Sequence, residues 1–412
     1  MQKKFSIFPM FLVILIDMIG IGIVIPVLAA LFLSTNLLFA ASVPFATRAI
    51  VLGFLIAAYP LAQFFGAPIL GALSDKHGRK KILFISLVGT IVGYLLFAIG
   101  IIFHSLPLLF FSRILDGFTG GNITIAMAAV ADVSDQKNKV KRFGLVGMAF
   151  GVGMIIGPTI GGLLADPKIV PWFGPVVPFF FAAFLSLVNV ILFLFLFKET
   201  LHTSRHVKIH VFTALKNIKI AMHHKTLKIL FLFAFLFAFG FSFYTQFFQV
   251  FLIKKFSVTE SDIGLLFGFM GVCIAIAQGF IVRPLSKKFC PQDILPYSTI
   301  LVSVFIMFML VPNTLQGIYV LTAIIAIFVG LTMPNMNALI SNLTKPEEQG
   351  EIMGINQSLQ ALAMAIPPIL AGFFAALHYT LPIIIGSLGI GLAWVVFVFF
   401  YKERKNLKCH LK

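Results

Sequence analysis

A polar turn, Gly71-Ala72-Leu73-Ser74-Asp75-Lys76-His77-Gly78-Arg79-Lys80-Lys81, joins two apolar segments at about 48–73 and 81–103. Each segment is at least as long as the roughly 20 residues that a helix needs to cross a bilayer. The turn itself is rich in lysine and arginine. Long apolar segments joined by short basic turns predict a membrane protein with several spanning helices.

The composition supports this prediction over the whole chain. Of 412 residues, 60% are hydrophobic and 11% are charged, whereas soluble domains carry roughly 25% charged residues. The mean hydropathy of +1.05 leaves too little polar surface to cover a globule in water. A water-soluble enzyme and a disordered chain are both excluded, because disorder requires low hydrophobicity.

Twelve apolar segments follow one another, and the longest interruption is the basic stretch 198–226. We therefore predict an N-terminal six-helix bundle at 1–197, a cytoplasmic linker at 198–226, and a C-terminal six-helix bundle with a short tail at 227–412. The predicted fold is an all-α membrane protein of twelve transmembrane helices in two pseudo-symmetric bundles. The segments lie at about 5–33, 48–73, 81–103, 107–131, 143–165, 177–197, 227–250, 261–285, 294–311, 316–344, 351–377 and 382–401.

The net charge of +17 reflects how the loops are arranged across the membrane. If the loops alternate across the membrane, 26 of the 31 lysines and arginines fall on one side. This asymmetry follows the positive-inside rule, so we expect both termini in the cytoplasm and no nucleic-acid partner. The linker histidines have irregular spacing, so we expect no metal site there and no cofactor elsewhere.

Three charged residues lie deep in the predicted spans: Asp17, Arg113 and Asp116. Such charges cost about 2.5–3.5 kcal/mol on insertion scales, so each needs a reason to be there. Arg113 and Asp116 share a helix face, and they form either a structural ion pair or a protonatable carboxylate beside a fixed cation. Asp17 has no charged neighbour on its own helix. We predict that all three belong to a site that binds and releases a proton within the membrane.

The fifth predicted span is crowded with glycine around one proline. Small residues at helical spacing allow close helix packing, and a proline bends the helix. These residues therefore predict either a bend or a sliding surface in the fifth span, or only tight packing against neighbouring helices. The residues concerned are Gly153, Gly157, Pro158, Gly161 and Gly162.

Polar and aromatic side chains inside other apolar segments are candidates for a central substrate cavity. Each amide could equally be an interhelical hydrogen bond worth about 0.6 kcal/mol. The candidates are Tyr59, Gln63, Asn122, Tyr244, Gln246, Gln249, Gln278, Asn335, Asn337, Asn356, Gln357 and Gln360.

Four of these stretches resemble the major facilitator superfamily, and within it the drug:proton antiporters close to the tetracycline exporters. Gly71–Lys81 resembles the G-x-L-[AS]-D-[RK]-x-G-R-[RK] signature, and Arg113–Gly117 resembles R-x-x-x-G. Gly153–Gly162 resembles the antiporter motif G-x-x-x-G-P-x-x-G-G. Asp17–Gly22 resembles the acidic first helix of the same group.

The resemblance implies a conformational latch on the cytoplasmic side. It implies that Asp75 faces the start of the eleventh span and that Arg79 pairs with Asp132. Gly71 and Gly78 belong to the same motif. It also implies that Arg113 supports proton coupling and that the fifth span seals the interface between the bundles.

The sequence hypothesis is a monomeric transporter of the bacterial inner membrane that exports a small amphiphilic molecule in exchange for protons. No G-x-x-x-x-G-K-[ST] motif is present, so ATP is not the expected energy source. Import of a nutrient by symport or uniport, and export of a metabolite or siderophore, remain open alternatives. A membrane enzyme or a receptor is disfavoured, because neither clustered catalytic groups nor a soluble domain is present.

Overall fold

The computed structural model describes residues 8–33, 37–133, 139–201, 213–224, 227–286, 288–344 and 349–401. Regular structure in these ranges is helical, with one π-helical turn at Ala277–Val282. The α-helices are α1 Phe8–Leu33, α2 Phe45–His77, α3 Arg79–Ile102, α4 Leu106–Thr119, α5 Asn122–Asp132, α6 Lys139–Ala165, α7 Val177–Leu196, α8 Thr213–His223, α9 Lys228–Phe256, α10 Glu260–Ile276, α11 Arg283–Ser286, α12 Pro291–Phe308, α13 Leu315–Asn342, α14 Gln349–Leu377 and α15 Leu381–Phe400.

Twelve spans in the described ranges are long and apolar enough to cross a membrane, which confirms the predicted all-α class and the number of spans. The fourth span, Leu106–Asp132, consists of α4 and α5, and the eighth, Glu260–Val282, ends in the π-helical turn. The orientation of the termini stays a prediction. Within the predicted linker 198–226, residues 202–212 and 225–226 lie outside the described residues.

Local sequence explains where several helices begin. At the start of α10, the Thr259 hydroxyl accepts from the Asp262 N–H, and the Asp262 carboxylate accepts from the Thr259 N–H at 2.9 Å. This reciprocal arrangement is a capping box. Thr314 caps α13 by accepting from the Gly317 N–H. Between α2 and α3, Gly78 has φ +98°, a backbone conformation that glycine adopts without strain.

The chain divides into two compact units. The first takes in the described residues of 1–44, 58–213 and 259–268, and the second those of 45–57, 214–258 and 269–412. The first unit has a core of buried aliphatic and aromatic side chains that includes Ile14 of α1, Leu83 of α3 and Phe193 of α7. The bundle limits predicted from the sequence stay a prediction.

In the second unit, α9 packs closely on α15 at two glycines. A Cβ on Gly240 would lie 2.6 Å from the Gly386 carbonyl oxygen, and a Cβ on Gly386 would lie 2.8 Å from the Gly240 carbonyl oxygen. On another face of α15, Ser303 of α12 and Ser387 exchange hydrogen bonds, each hydroxyl donating to the other's carbonyl oxygen at 2.8 Å. Small residues therefore bring these helices into backbone contact, as is usual in membranes.

We predict that Gly240→Val lowers the melting temperature of the purified protein in detergent. The added side chain would meet the α15 backbone, and overpacking of this kind costs about 1–3 kcal/mol. Gly354→Val is the matched control, because a Cβ there meets no atom within 4 Å. Equal melting temperatures for the two variants would contradict the close contact between α9 and α15.

Candidate functional site

Asp17 lies on α1 and is buried in the first unit, with 7% of its surface exposed. Its Oδ2 accepts a hydrogen bond from Asn122 Nδ2 at 2.6 Å, and its Oδ1 accepts one from Asn189 Nδ2 at 3.3 Å. Asn122, predicted to line a substrate cavity, thus contacts the carboxylate. Asn189 was not predicted from the sequence as a site residue, although it is the only amide side chain in the sixth apolar segment.

Arg113 and Asp116 form a buried ion pair, with Arg113 Nη2 3.3 Å from Asp116 Oδ2. The guanidinium carbon lies 4.7 Å from the centre of the Phe97 ring and 5.8 Å from that of Tyr94. Within the described structure, Arg113 Nε and Nη2 have no hydrogen-bond partner. The cation is therefore balanced by one carboxylate and by aromatic faces, which attract cations in an apolar setting.

The two carboxylates face one small pocket, although they lie on different helices. The pocket has room for about one water molecule. We call it the carboxylate pocket; it is lined by Asp17, Ile21, Tyr59, Thr90, Tyr94, Asp116, Gly120 and Asn122. Tyr59 is thus placed beside Asp17 and Asp116, and Gln63 donates to the Gly120 carbonyl oxygen at 2.9 Å. A carboxylate that water can reach in such a pocket can exchange a proton.

A second polar group lies at the ends of α2, α3 and α5. Arg79 Nη2 lies 2.6 Å from Asp75 Oδ1, and Arg79 Nε lies 3.0 Å from Asp132 Oδ2. Arg79 Nη1 also donates to Ser74 Oγ at 2.6 Å. We call Ser74, Asp75, Arg79 and Asp132 the latch cluster. The expected pairing of Arg79 with Asp132 is present, and Asp75 binds the same guanidinium.

Two glycines of the latch motif differ in their surroundings. A Cβ on Gly71 would make only an ordinary contact with Thr124, at 3.6 Å. Gly78 is constrained both by its positive φ and by a neighbouring carboxylate, because a Cβ there would lie 2.7 Å from Glu199 Oε2. The structure thus explains the glycine at 78 and gives no close contact that requires one at 71.

The glycine motif of α6 packs against α1 and against the first turns of α10. A Cβ on Gly153 or Gly161 would collide with α1, and one on Gly157 would lie 2.6 Å from the Ile19 carbonyl oxygen. Pro158 meets α1 as well, since a Cβ on Gly22 would lie 2.7 Å from its Cδ.

The neighbouring face of α6 meets α10. A Cβ on Gly162 would lie 2.9 Å from the Gly264 Cα. The motif therefore holds both the helix that carries Asp17 and the first turns of α10.

The remaining cavity candidates belong to the second unit. Asn356 of α14 donates to Asn337 Oδ1 of α13 at 3.3 Å, whereas Asn335 donates to the Leu331 carbonyl oxygen of its own helix at 2.7 Å. Tyr244 is fully buried on α9. Gln249 donates to the Gln246 carbonyl oxygen. Three candidates have partly or fully exposed side chains and no described hydrogen bond: Gln278, Gln357 and Gln360.

The sequence matches known transporters over almost its whole length. The family described as Major Facilitator Superfamily matches residues 10–253 and 230–410. "Tetracycline resistance protein, class B" of Escherichia coli is 29% identical over 390 residues, covering 94% of this chain and 91% of that protein. "Multidrug resistance protein 2" of Bacillus subtilis (strain 168) is 28% identical, covering 95% and 94%.

Among solved structures, a D-xylose-proton symporter superposes with a TM-score of 0.74 at 16% identity, covering 97% of this chain and 99% of that one. At this identity the likeness shows the fold alone. The relatives confirm the resemblance to drug:proton antiporters found in the motifs. The chain therefore belongs to the Major Facilitator Superfamily and is a multi-pass transporter of the bacterial inner membrane, not an enzyme.

Proposed function

We propose that this transporter is a proton-coupled antiporter that exports small amphiphilic, drug-like molecules by alternating access. The observation that carries the proposal is the carboxylate pocket, which Asp17 and Asp116 both line, with Arg113 paired to Asp116. The printed names of the relatives, which are resistance proteins for tetracycline and for multiple drugs, support export of such compounds.

The charges of the pocket explain how a proton could enter the cycle. With both carboxylates ionised, Asp17, Asp116 and Arg113 carry a net charge of −1. An uncompensated charge at membrane depth is costly. A single proton on either carboxylate makes the group neutral, so proton binding favours the state in which the pocket is closed to water. Proton release is favoured in a state that admits water.

Contacts around Asp17 provide a route from this charge change to helix movement. Asn122 and Asn189 hold the two oxygens of the Asp17 carboxylate from α5 and α7. Because α6 packs on α1 through Gly153, Gly157 and Gly161, a shift of α1 has to be accommodated by α6. We propose that protonation biases the packing of α1, α5 and α7, and that α6 passes this bias to α10.

The candidate cavity residues of the second unit complete the proposal. Tyr244, Gln246, Gln249, Gln278, Asn335, Asn337, Asn356, Gln357 and Gln360 remain proposed contacts of the substrate. Import in place of export is distinguished by the direction of proton movement, since antiport moves substrate and protons in opposite directions.

We predict that Asp17→Asn abolishes efflux driven by a pH gradient while substrate binding persists. The amide keeps the size of the side chain and cannot bind or release the proton. The measurement is ethidium and tetracycline flux in proteoliposomes with an imposed pH gradient, together with binding in detergent. Asp293→Asn is the control, because that carboxylate caps the start of α12 by accepting from the Cys290 N–H. Gradient-driven flux at the wild-type rate in Asp17→Asn would refute the proposal.

We also predict that Gly157→Val slows gradient-driven efflux strongly. The added side chain would meet the Ile19 carbonyl oxygen and push α6 away from α1. Overpacking of this kind costs about 1–3 kcal/mol. Gly147→Val on the same helix is the control, because a Cβ there has nothing within 4 Å. If both variants transported ethidium equally well, packing between α1 and α6 would not be part of the coupling.

A further inference from the structure

Glu199 lies three residues after Leu196, the last residue of α7, and places its carboxylate at the start of α3. Its Oε1 accepts hydrogen bonds from the N–H groups of Arg79, Thr200 and Leu201, each at 3.0 Å. Its Oε2 accepts one from the Lys80 N–H at 3.0 Å. The side chain is the partner of two N–H groups that the first turn of α3 cannot satisfy within the helix.

This arrangement is an anion site at a helix N-terminus whose anion comes from the same chain. Partial burial acts to raise the pKa of the Glu199 carboxyl, but its four backbone hydrogen bonds outweigh burial and hold the pKa below the usual value. Gly78 allows the close approach, since a Cβ there would lie 2.7 Å from Glu199 Oε2. The negative charge of Glu199, the N–H donors at the start of α3 and the lack of a side chain at Gly78 together make this contact possible.

The Glu199 carboxylate is connected to the latch cluster through residue 79. It holds the backbone N–H of Arg79, while the guanidinium of the same residue binds Asp75 and Asp132. The next residue, Thr200, is buried, and its hydroxyl donates to Asp132 Oδ2 at 3.5 Å. Residues 199 and 200 thus bring the end of α7 to the ends of α2, α3 and α5.

We propose that Glu199 is a positioning residue of the latch cluster. It fixes the backbone at Arg79 so that the guanidinium reaches Asp75 and Asp132 together, and it ties the exit of α7 to the latch. Glu199 and Thr200 lie at the start of the stretch 198–226 that is predicted to link the two bundles. The transport consequence rests on the proposed function, in which the latch cluster stabilises the state closed on the cytoplasmic side.

The direct test is hydrogen exchange of the amides of Arg79 and Lys80 in the full-length protein in detergent. In Glu199→Gln the charge is lost and one acceptor oxygen becomes a donor group, so protection of both amides falls by about tenfold, as expected for hydrogen bonds to a charged group. Glu199→Asp, which keeps the charge on a shorter side chain, restores part of the protection. Lys198→Gln, at an exposed neighbouring position, is the control. Wild-type protection in Glu199→Gln overturns the proposal.

The same measurement has a pH signature. Because the pKa of Glu199 is lowered on folding, its contribution is present above the ordinary glutamate pKa and is lost as the pH falls through the lowered value. We predict that protection of the Arg79 and Lys80 amides, corrected for intrinsic exchange, persists at pH 5 and declines only below the ordinary range. In Glu199→Gln no such decline occurs. A decline at the same pH in both proteins would overturn the assignment.

Positioning is tested separately from transport by a double-mutant cycle. If Glu199 acts on Arg79, the melting-temperature shifts of Glu199→Gln and Asp132→Asn are not additive, because each loosens the same contact. Additive shifts overturn the positioning role.

Ethidium efflux adds the functional test. A positioning role predicts a several-fold lower maximal rate in Glu199→Gln with unchanged ethidium affinity, whereas an unchanged rate overturns it. Absence of proton-driven efflux in the wild type would count against the proposed function and leave the exchange and melting results to decide the role of Glu199.

Discussion

Charge balance in the carboxylate pocket is the constraint on which the rest of the account depends. Arg113 can neutralise one carboxylate, and Asp17 and Asp116 both face the same water-sized space. At membrane depth the surplus negative charge has few ways to be compensated. Two asparagine amides from α5 and α7 stabilise the Asp17 carboxylate, and aromatic faces surround the Arg113 guanidinium. We propose that a proton completes the balance and so makes the pocket sensitive to the pH difference across the membrane.

Backbone contact between helices is the means by which such a local change can spread. The glycines of α6 let its backbone touch α1 on one side and the first turns of α10 on the other, so neither neighbour can move freely. At the far end of the same unit, α2, α3, α5 and α7 meet through Arg79 and Glu199. The pocket lies within the spans and the latch cluster lies at helix ends. We propose that the packed helices between them transmit the effect of protonation.

Much of this could be predicted from the sequence, because the decisive residues are unusual where they stand. Asp17, Arg113 and Asp116 stand out as charges in apolar segments, and the spacing of Arg113 and Asp116 places them on one helix face. Asn189 and Glu199 were missed for the opposite reason. An asparagine in a span and a glutamate just after one are ordinary, and their roles arise from partners more than 100 residues away in the chain. Tyr59 and Asn122 were selected for their polarity as candidates for a substrate cavity, which stays a prediction, and only the fold places them beside the carboxylates.

The most direct test of the central claim is infrared difference spectroscopy of the protein in lipid bilayers. We predict absorption from a protonated carboxyl group at neutral pH that is absent from the Asp17→Asn/Asp116→Asn double variant. The band should persist in the Asp293→Asn control. A wild-type spectrum without this band, or a double variant that retains it, would contradict a proton shared between the two carboxylates.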